Sequence, residues 1–487
     1  MQYDVIVIGC GMSGILAGIH LQQQGKNFLI IEKAATLGGT WRDNTYPGLT
    51  CDVPSHAYTY SFEPNPEWSR VLPPGPEVQQ YFESVFAKYA LSDHVRFDTE
   101  IVAAHWQGNH WRLTDRAGQC HAARVVIAAT GVLHHPHYAQ LPGLEQFAGR
   151  TIHSARWDHG VPLDGQRIAI VGNGSTGVQL VSALAGRARL RHFQRTAQWI
   201  FPVENPVFTP AQREQFRGDR DLLLYLQREP TYLENVERFT QAVLDPHSPQ
   251  ILEIEKICRD HLEASVSDAQ LRQALLPNYR AGCKRLIYSP DYYRAIQHPE
   301  CQLVTAGIVG IEPQGIRTAD GELHGLDIIV LATGFQTDRF VRPMQVRGLD
   351  GVDLDQAWAD GPTAYQSISV PGFPNFFMMN GPTSPVGNFS LIDTAEMQWG
   401  YIWQLITRLQ EQAVVGISAA PQALAAYDRA RRTAAKASVF GSGCHSWYLD
   451  RSGVPNTWPW SQSRFREVMR TPVWDDFVLH QTQHQIA

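Results

Sequence analysis

Twice in this chain a short β-branched run empties into a loop with glycine at its first, third and sixth places, and then into a helix-like stretch. "YDVIVI" leads to Gly9-Cys10-Gly11-Met12-Ser13-Gly14, and "RIAIV" leads to Gly172-Asn173-Gly174-Ser175-Thr176-Gly177. The pattern restricts the fold severely. Its strand belongs in a parallel sheet, its helix packs back on that sheet, and the glycines let backbone amides approach a pyrophosphate at the helix N-terminus. Glycine-rich turns alone are common, but the strand before and the helix after each loop supply the full dinucleotide-binding context. Two copies predict an α/β fold with two Rossmann-like dinucleotide-binding domains.

The copies differ at the end of the next strand. After the first loop, "KNFLIIEK" reads as a second strand ending at Glu32, whose carboxylate suits ribose hydroxyls. After the second, "RLRHFQRT" ends in Gln194, Arg195 and Thr196, where an acid would be expected. A carboxylate there would repel a 2′-phosphate, whereas Arg195 can pair with one and Thr196 can donate to it. The missing acid favours NADPH over NADH; the competing reading of Arg195 is a solvated charge at a strand end. One cofactor per loop puts FAD at the first and NADPH at the second, with hydride transfer between them the simplest chemistry. Gly9, Gly11, Ser13, Gly14 and Glu32 are then FAD contacts. Gly172, Asn173, Gly174, Ser175, Thr176, Gly177, Arg195 and Thr196 are NADPH contacts. "ARVVIAATGV" (123–132) and "LDIIVLATGF" (326–335) both read as strands closing on Ala-Thr-Gly, small enough for backbone to pass near a nucleotide.

A length of 487 residues suits two or three domains. We expect an FAD-binding domain over 1–145, an NADP-binding domain starting at 146–200, and a helical insertion over 201–280. The NADP-binding domain resumes over 281–335, and 336–487 returns to the FAD-binding domain and supplies substrate-pocket loops. Within the insertion, Leu252, Ile257 and Leu262 lie near helical spacing, and Tyr365 to Asn380 reads mostly as loop. "TAEMQWGYIWQLITRLQEQ" is an amphipathic helix with Met397, Tyr401, Leu405 and Leu409 on its core face. The aromatic-rich stretch 446–468 is either packing, the reading we prefer, or part of a cavity wall.

Composition narrows the partners. With 44% hydrophobic and 18% charged residues and a net charge of −6, the chain has ample core and no global attraction for nucleic acid or anionic lipid. No run reaches the roughly 18 to 20 apolar residues of a membrane span, and no export leader is visible, so a cytoplasmic location without an integral membrane segment is expected. The seven cysteines are scattered and contain no CxxC. No disulfide framework, metal site or redox dithiol is expected, which excludes the mechanism of the flavin disulfide reductases.

Between the two loops stands "FAGRTIHSARWD", with Phe147, Gly149, His153, Trp157 and Asp158. These residues fill every defined place of F-x-G-x-x-x-H-x-x-x-W-[PD], and the sequence resembles the type I Baeyer–Villiger monooxygenases, a branch of the class B flavoprotein monooxygenases. "GGTW" (38–41), "YPGLTCDVPSHAY" (46–58), "CKRLIYSPDYY" (283–293) and "GFPNFFMMNGPTSP" (372–385) extend the likeness over nearly the whole chain. It is weakest in the helical insertion. The resemblance implies that NADPH reduces FAD, that the reduced flavin captures O2 as a C4a-peroxide, and that this attacks a ketone to give an ester or lactone. It also implies Arg285 as the catalytic arginine, Asp52 as its partner beside the cofactors, and Lys284 as a 2′-phosphate contact. Thr40, Trp41, Tyr58 and Val102 become flavin-side cofactor contacts.

Read from the residues alone, Lys284-Arg285 is a solvated surface pair, Asp52 a turn aspartate, Trp41 a core residue and His153 structural. We count His153 with the catalytic set as a hinge brace whose hydrogen bond couples the two domains, not as a proton carrier. Two rivals remain at this point. One is a flavin monooxygenase acting on sulfur or nitrogen; the other is a non-oxygenating FAD/NADP sensor or interaction module. The identity of the ketone and the oligomeric state are open.

Overall fold

β-Branched and apolar residues without charge make strands that are buried on both faces, the signature of a parallel sheet covered by helices. The computed structural model, which describes residues 2–481 apart from 386, 388, 389, 412, 413, 445, 447 and 448, forms two such sheets. In the first, Gln2–Ile8 lies parallel between Phe28–Ile31 and Cys120–Ala128. Val95–Arg96 extends one side and Phe376–Met378 the other, each also parallel to its neighbour. The neighbours of Gln2–Ile8 lead away in opposite directions, so its C-terminal end opens at a switch point, where such sheets bind ligands. The first half of Cys120–Ala128 turns outward into an antiparallel ribbon with Trp111–Asp115 and Ile101–Trp106.

The second sheet runs Cys301–Val304, Arg189–Phe193, Arg167–Val171, Ile328–Leu331, Arg150–His153, all parallel. Its switch point falls beside Arg167–Val171, the strand that feeds the second glycine loop. Two connections join the sheets, and they run side by side: His137 N–H donates to Gly334 O and Gln336 N–H to His135 O, both at 2.8 Å.

Five helices fill the insertion: Pro210–Gly218, Arg220–Gln227, Pro230–Ala242, Pro249–Ser265 and Ala269–Ala274. Several begin on capping side chains, among them Thr209, Asp219, Ser248 and Asp268. The expected apolar face needs correction. Ile251, Ile254, Cys258 and Leu262 are buried on Pro249–Ser265, while Leu252 is exposed. Steps of five rotate roughly 140° around a helix, so Leu252, Ile257 and Leu262 never shared a face. Tyr365 to Asn380 also holds more order than expected, because Phe376–Met378 completes the first sheet; three residues are too few to show a period.

Leu391–Glu411 is the amphipathic helix, burying Tyr401, Leu405 and Leu409 with Met397 half-buried beside them. Of the stretch 446–468, Trp458 and Phe465 are packed in the same cluster, while Trp447 and Tyr448 lie outside the described residues. Among the described residues no helix is long and apolar enough to cross a membrane.

Candidate functional site

The two glycine loops are built alike. Gly9 and Gly172 adopt φ of +104° and +109°, and a Cβ on either would lie within 2.6 Å of a carbonyl oxygen, that of Ala129 or Ala332. Those carbonyls belong to the two Ala-Thr-Gly strand ends, which pass directly over the loops. A Cβ on Gly14 or Gly177 would come within 2.0 Å of the first glycine's own carbonyl, so the helix could not start where it does. The middle glycines differ: a Cβ on Gly174 would meet open space, and one on Gly11 would find Gly39 at 3.6 Å and the Gly38 carbonyl oxygen at 3.9 Å, both ordinary contacts. Here the backbone stays open to a ligand, as a pyrophosphate cradle requires.

Glu32 is buried at the end of Phe28–Ile31 and pins the first loop. One carboxylate oxygen accepts from Cys10 N–H at 2.8 Å, the other from Ala34 N–H and Arg42. Each oxygen has about two acceptor sites, which leaves room for a ribose hydroxyl on the first. Thr99 N–H donates to the Glu32 carbonyl, and Val102 lies three residues further on, at a register shift in the ribbon. Ser13, on the first helix, accepts from Asn380 Nδ2 at 3.1 Å. At the second loop, Asn173 donates to Gln194 Oε1 and the Thr196 carbonyl, tying the loop to the end of the next strand.

The centre of the site is an ion pair between segments 233 positions apart. Arg285 donates through Nε and Nη2 to the two carboxylate oxygens of Asp52, at 2.9 and 2.5 Å. Both partners are largely buried, with side-chain exposures of 30% and 19%. The bidentate geometry fixes the guanidinium plane. Next to it, burial and the nearby Arg195 guanidinium pull the Lys284 ammonium below the usual lysine range, while its Nζ lies 4.6 Å from the Tyr279 ring centre. Two cations gathered against their own repulsion suit a doubly charged phosphate. On the flavin side Thr40 opens the short helix Thr40–Asp43, and Trp41 Nε1 donates to the buried Tyr58 hydroxyl at 3.1 Å. The segment leading to Asp52 is latched to the second loop's helix: Tyr46 donates to Gln179, and Gln179 donates to the Thr50 carbonyl.

His153 stands away from that pair, under the double connection. Its Nδ1 accepts from Ala155 N–H, so Nε2 carries the proton toward Thr333 Oγ1 at 3.5 Å, and Thr333 in turn donates to the His137 carbonyl. Burial pulls the imidazole pKa below its ordinary value, which keeps that tautomer neutral.

Comparison with known proteins gives the family. Residues 6–218 match the family model described as pyridine nucleotide-disulphide oxidoreductase. An uncharacterised monooxygenase of Mycobacterium tuberculosis is 45% identical over 96% of this chain and 94% of its own length. A Baeyer–Villiger monooxygenase of Streptomyces coelicolor is 35% identical over 99% of this chain and 94% of its own. The chain belongs to the Baeyer–Villiger monooxygenase family. A solved structure of oxidised steroid monooxygenase bound to NADP superposes with a TM-score of 0.85 at 28% identity, covering 99% of this chain and 100% of that one. As a member of the Baeyer–Villiger family the chain is an FAD- and NADPH-dependent flavoprotein monooxygenase.

In this Baeyer–Villiger enzyme two features escaped the sequence. Asn380, at φ +50°, bridges Ser13 and Gln398 and keeps a buried Oδ1 without a hydrogen-bond partner among the described residues. Its signal was an Asn-Gly directly after a buried strand. The second is a correction: Cys283 and Cys444 form a disulfide, although no cysteine cross-link was expected. The pair is 161 positions apart, and spacing carries no information about cysteines that only the tertiary fold brings together. Among the described residues no group of His, Cys, Asp and Glu is arranged to hold a metal.

Proposed function

We propose that this enzyme converts a ketone into an ester or lactone, with Arg285 as the catalytic cation and Asp52 as the group that aims it. The observation that carries the assignment is the bidentate Arg285–Asp52 pair, which joins the loop after the first nucleotide site to the segment beside the second. FAD, when bound, supplies the oxygen-transfer chemistry, and NADPH supplies the hydride that reduces it.

The protein's own share is placement and electrostatics. Gly9, Gly11, Ser13, Gly14 and Glu32 would hold FAD, with Thr40, Trp41, Tyr58 and Val102 along its length. The second loop, from Gly172 to Gly177, would cradle the NADPH pyrophosphate, and Arg195, Thr196 and Lys284 its 2′-phosphate. Arg285 suits the reacting centre because a guanidinium cannot give up its proton to a strong base. Held by Asp52, it meets negative charge developing on the carbonyl oxygen without first having to reorient. Trp41 and Tyr58 form an aromatic wall that excludes water from this side. We assign His153 a positioning role, bracing the connection through which the two domains move. We divide the chain at about residues 145, 200, 280 and 335, a reading supported at its outer bounds by Arg150–His153 and Ile328–Leu331 sharing the second sheet. Cytoplasm is the compartment we assign.

The test is a ketone panel with purified holoenzyme, NADPH and O2, read by product mass, with a thioether run separately. Esters or lactones are expected from the wild type. Arg285→Ala should lower ester formation by roughly a hundred- to a thousand-fold while NADPH still bleaches the flavin. Sulfoxide without any ester, or unchanged ester output from Arg285→Ala, would overturn the assignment.

A further inference from the structure

The residue immediately before Lys284 and Arg285 is one half of the disulfide. Cys283 and Cys444 have Cα atoms 6.2 Å apart, and both sit in an apolar cluster with Trp199, Val243, Val439 and Phe440. The stretch from Tyr279 to Arg285 has no helix or strand of its own; it runs between Ala269–Ala274 and the two-residue strand Ile287–Tyr288. The cross-link therefore clamps the irregular turn that delivers both cations. Its other end comes after the helix Pro421–Ala437 and the turn Val439–Gly441. Cys283 is fully buried and Cys444 is 8% exposed; the exposed Gly441, Ser442 and Gly443 lead into Cys444, which makes it the end of the cross-link nearer solvent.

A chain of 487 residues has core enough to fold without a covalent staple. Disulfides in reducing compartments are commonly sensing or catalytic. The placement is also specific: the Arg285–Asp52 pair is bidentate, and the bond anchors Cys283, two residues before Arg285.

We propose that Cys283–Cys444 is a redox-switchable cross-link whose oxidised form holds Arg285 in register with Asp52, so that its state sets how much of the NADPH consumed ends as ester. This rests on the assignment of Arg285 above. Forming the bond removes two protons and two electrons from the two thiols. Hydrogen peroxide, the product a flavin monooxygenase releases when oxygen is not transferred, accepts both and leaves as two molecules of water. A dithiol reverses the step by exchange, becoming oxidised itself as Cys283 and Cys444 regain their protons. Peroxide released by a loosened site would thus restore the clamp.

The experiment compares three preparations of the FAD-loaded enzyme: oxidised wild type, wild type reduced with a phosphine, and Cys444→Ser. Alkylation of denatured oxidised protein should label the five free cysteines, and reduction should expose two more. Reduced wild type and Cys444→Ser should both make less ester per NADPH, by on the order of ten-fold, with matching hydrogen peroxide release. The anaerobic rate of flavin reduction by NADPH should stay unchanged. Peroxide treatment should restore the reduced wild type and leave Cys444→Ser uncoupled, an outcome that general loss of structure cannot produce. Seven labelled thiols in peroxide-treated wild type, or equal peroxide release per NADPH in both redox states, would sink the proposal. Absence of ester from every preparation would instead count against the ketone assignment, since peroxide release still reads the cross-link.

Discussion

A lysine held below its ordinary pKa beside an arginine is an arrangement that asks for an anion. Lys284 and Arg195 come from segments almost ninety positions apart, yet they feel each other's charge at the mouth of the second loop. Lys284→Ala should therefore raise KM for NADPH by roughly ten- to a hundred-fold, the size of one lost charge-assisted hydrogen bond, and change KM for NADH far less. Equal losses with both nucleotides would place Lys284 elsewhere on the cofactor. At this scale much was legible. The glycines, Glu32 and the missing second acid speak through local chemistry, since each requirement is met within one strand–loop–helix unit. Arg285 and Asp52 were not legible from their own surroundings: an adjacent Lys-Arg and an aspartate near a proline are ordinary surface features. Only the family motif singled them out, because their pairing is made by the tertiary fold. Asn380 left only the Asn-Gly signal of a turn, because its contacts with Ser13 and Gln398 are likewise made by the tertiary fold.

Among the elements, the paired connections matter most. His153 links Arg150–His153 to Thr333, just past Ile328–Leu331, and through it to His137 on the opposite connection. His153→Ala should slow NADPH-driven flavin reduction by roughly five-fold, the equivalent of one net hydrogen bond, while FAD stays bound. Stopped-flow reduction beside flavin content separates the two; loss of FAD would show that the histidine is simply structural. The first strands and the nucleotide helices were readable because a glycine loop fixes what precedes and follows it, and the core helix Leu391–Glu411 because a long periodic segment announces its buried face. Phe376–Met378 and the true face of Pro249–Ser265 were not. A three-residue strand has no period, and an insertion helix buried on a narrow stripe leaves apolar residues such as Leu252 outside to mislead.

For the molecule as a whole, acid should cost stability wherever a histidine is buried neutral: burial pulls His56, His134 and His192 each down to about 4. His192 is fully buried; its Nε2 donates to the carbonyl of Gly172 and its Nδ1 accepts from Tyr292. Burial pulls its pKa down to about 4 from an ordinary 6.5, so between those values the unfolded chain binds a proton that the folded one refuses. The stabilisation is complete above pH 6.5 and is lost as pH falls toward 4, at a cost of roughly 3 kcal/mol at most. Urea unfolding across that window should show the loss, and His192→Gln should lessen it, with His56 and His134 left to supply the rest. The connections carry a larger consequence. Because the chain enters the second domain and leaves it at one place, through two connections bonded to each other, that domain is held there by a double tether. Any swing of it would have to pivot on that tether and undo the Tyr46–Gln179 and Arg285–Asp52 bonds on the far side, so closure and opening are written into those few contacts.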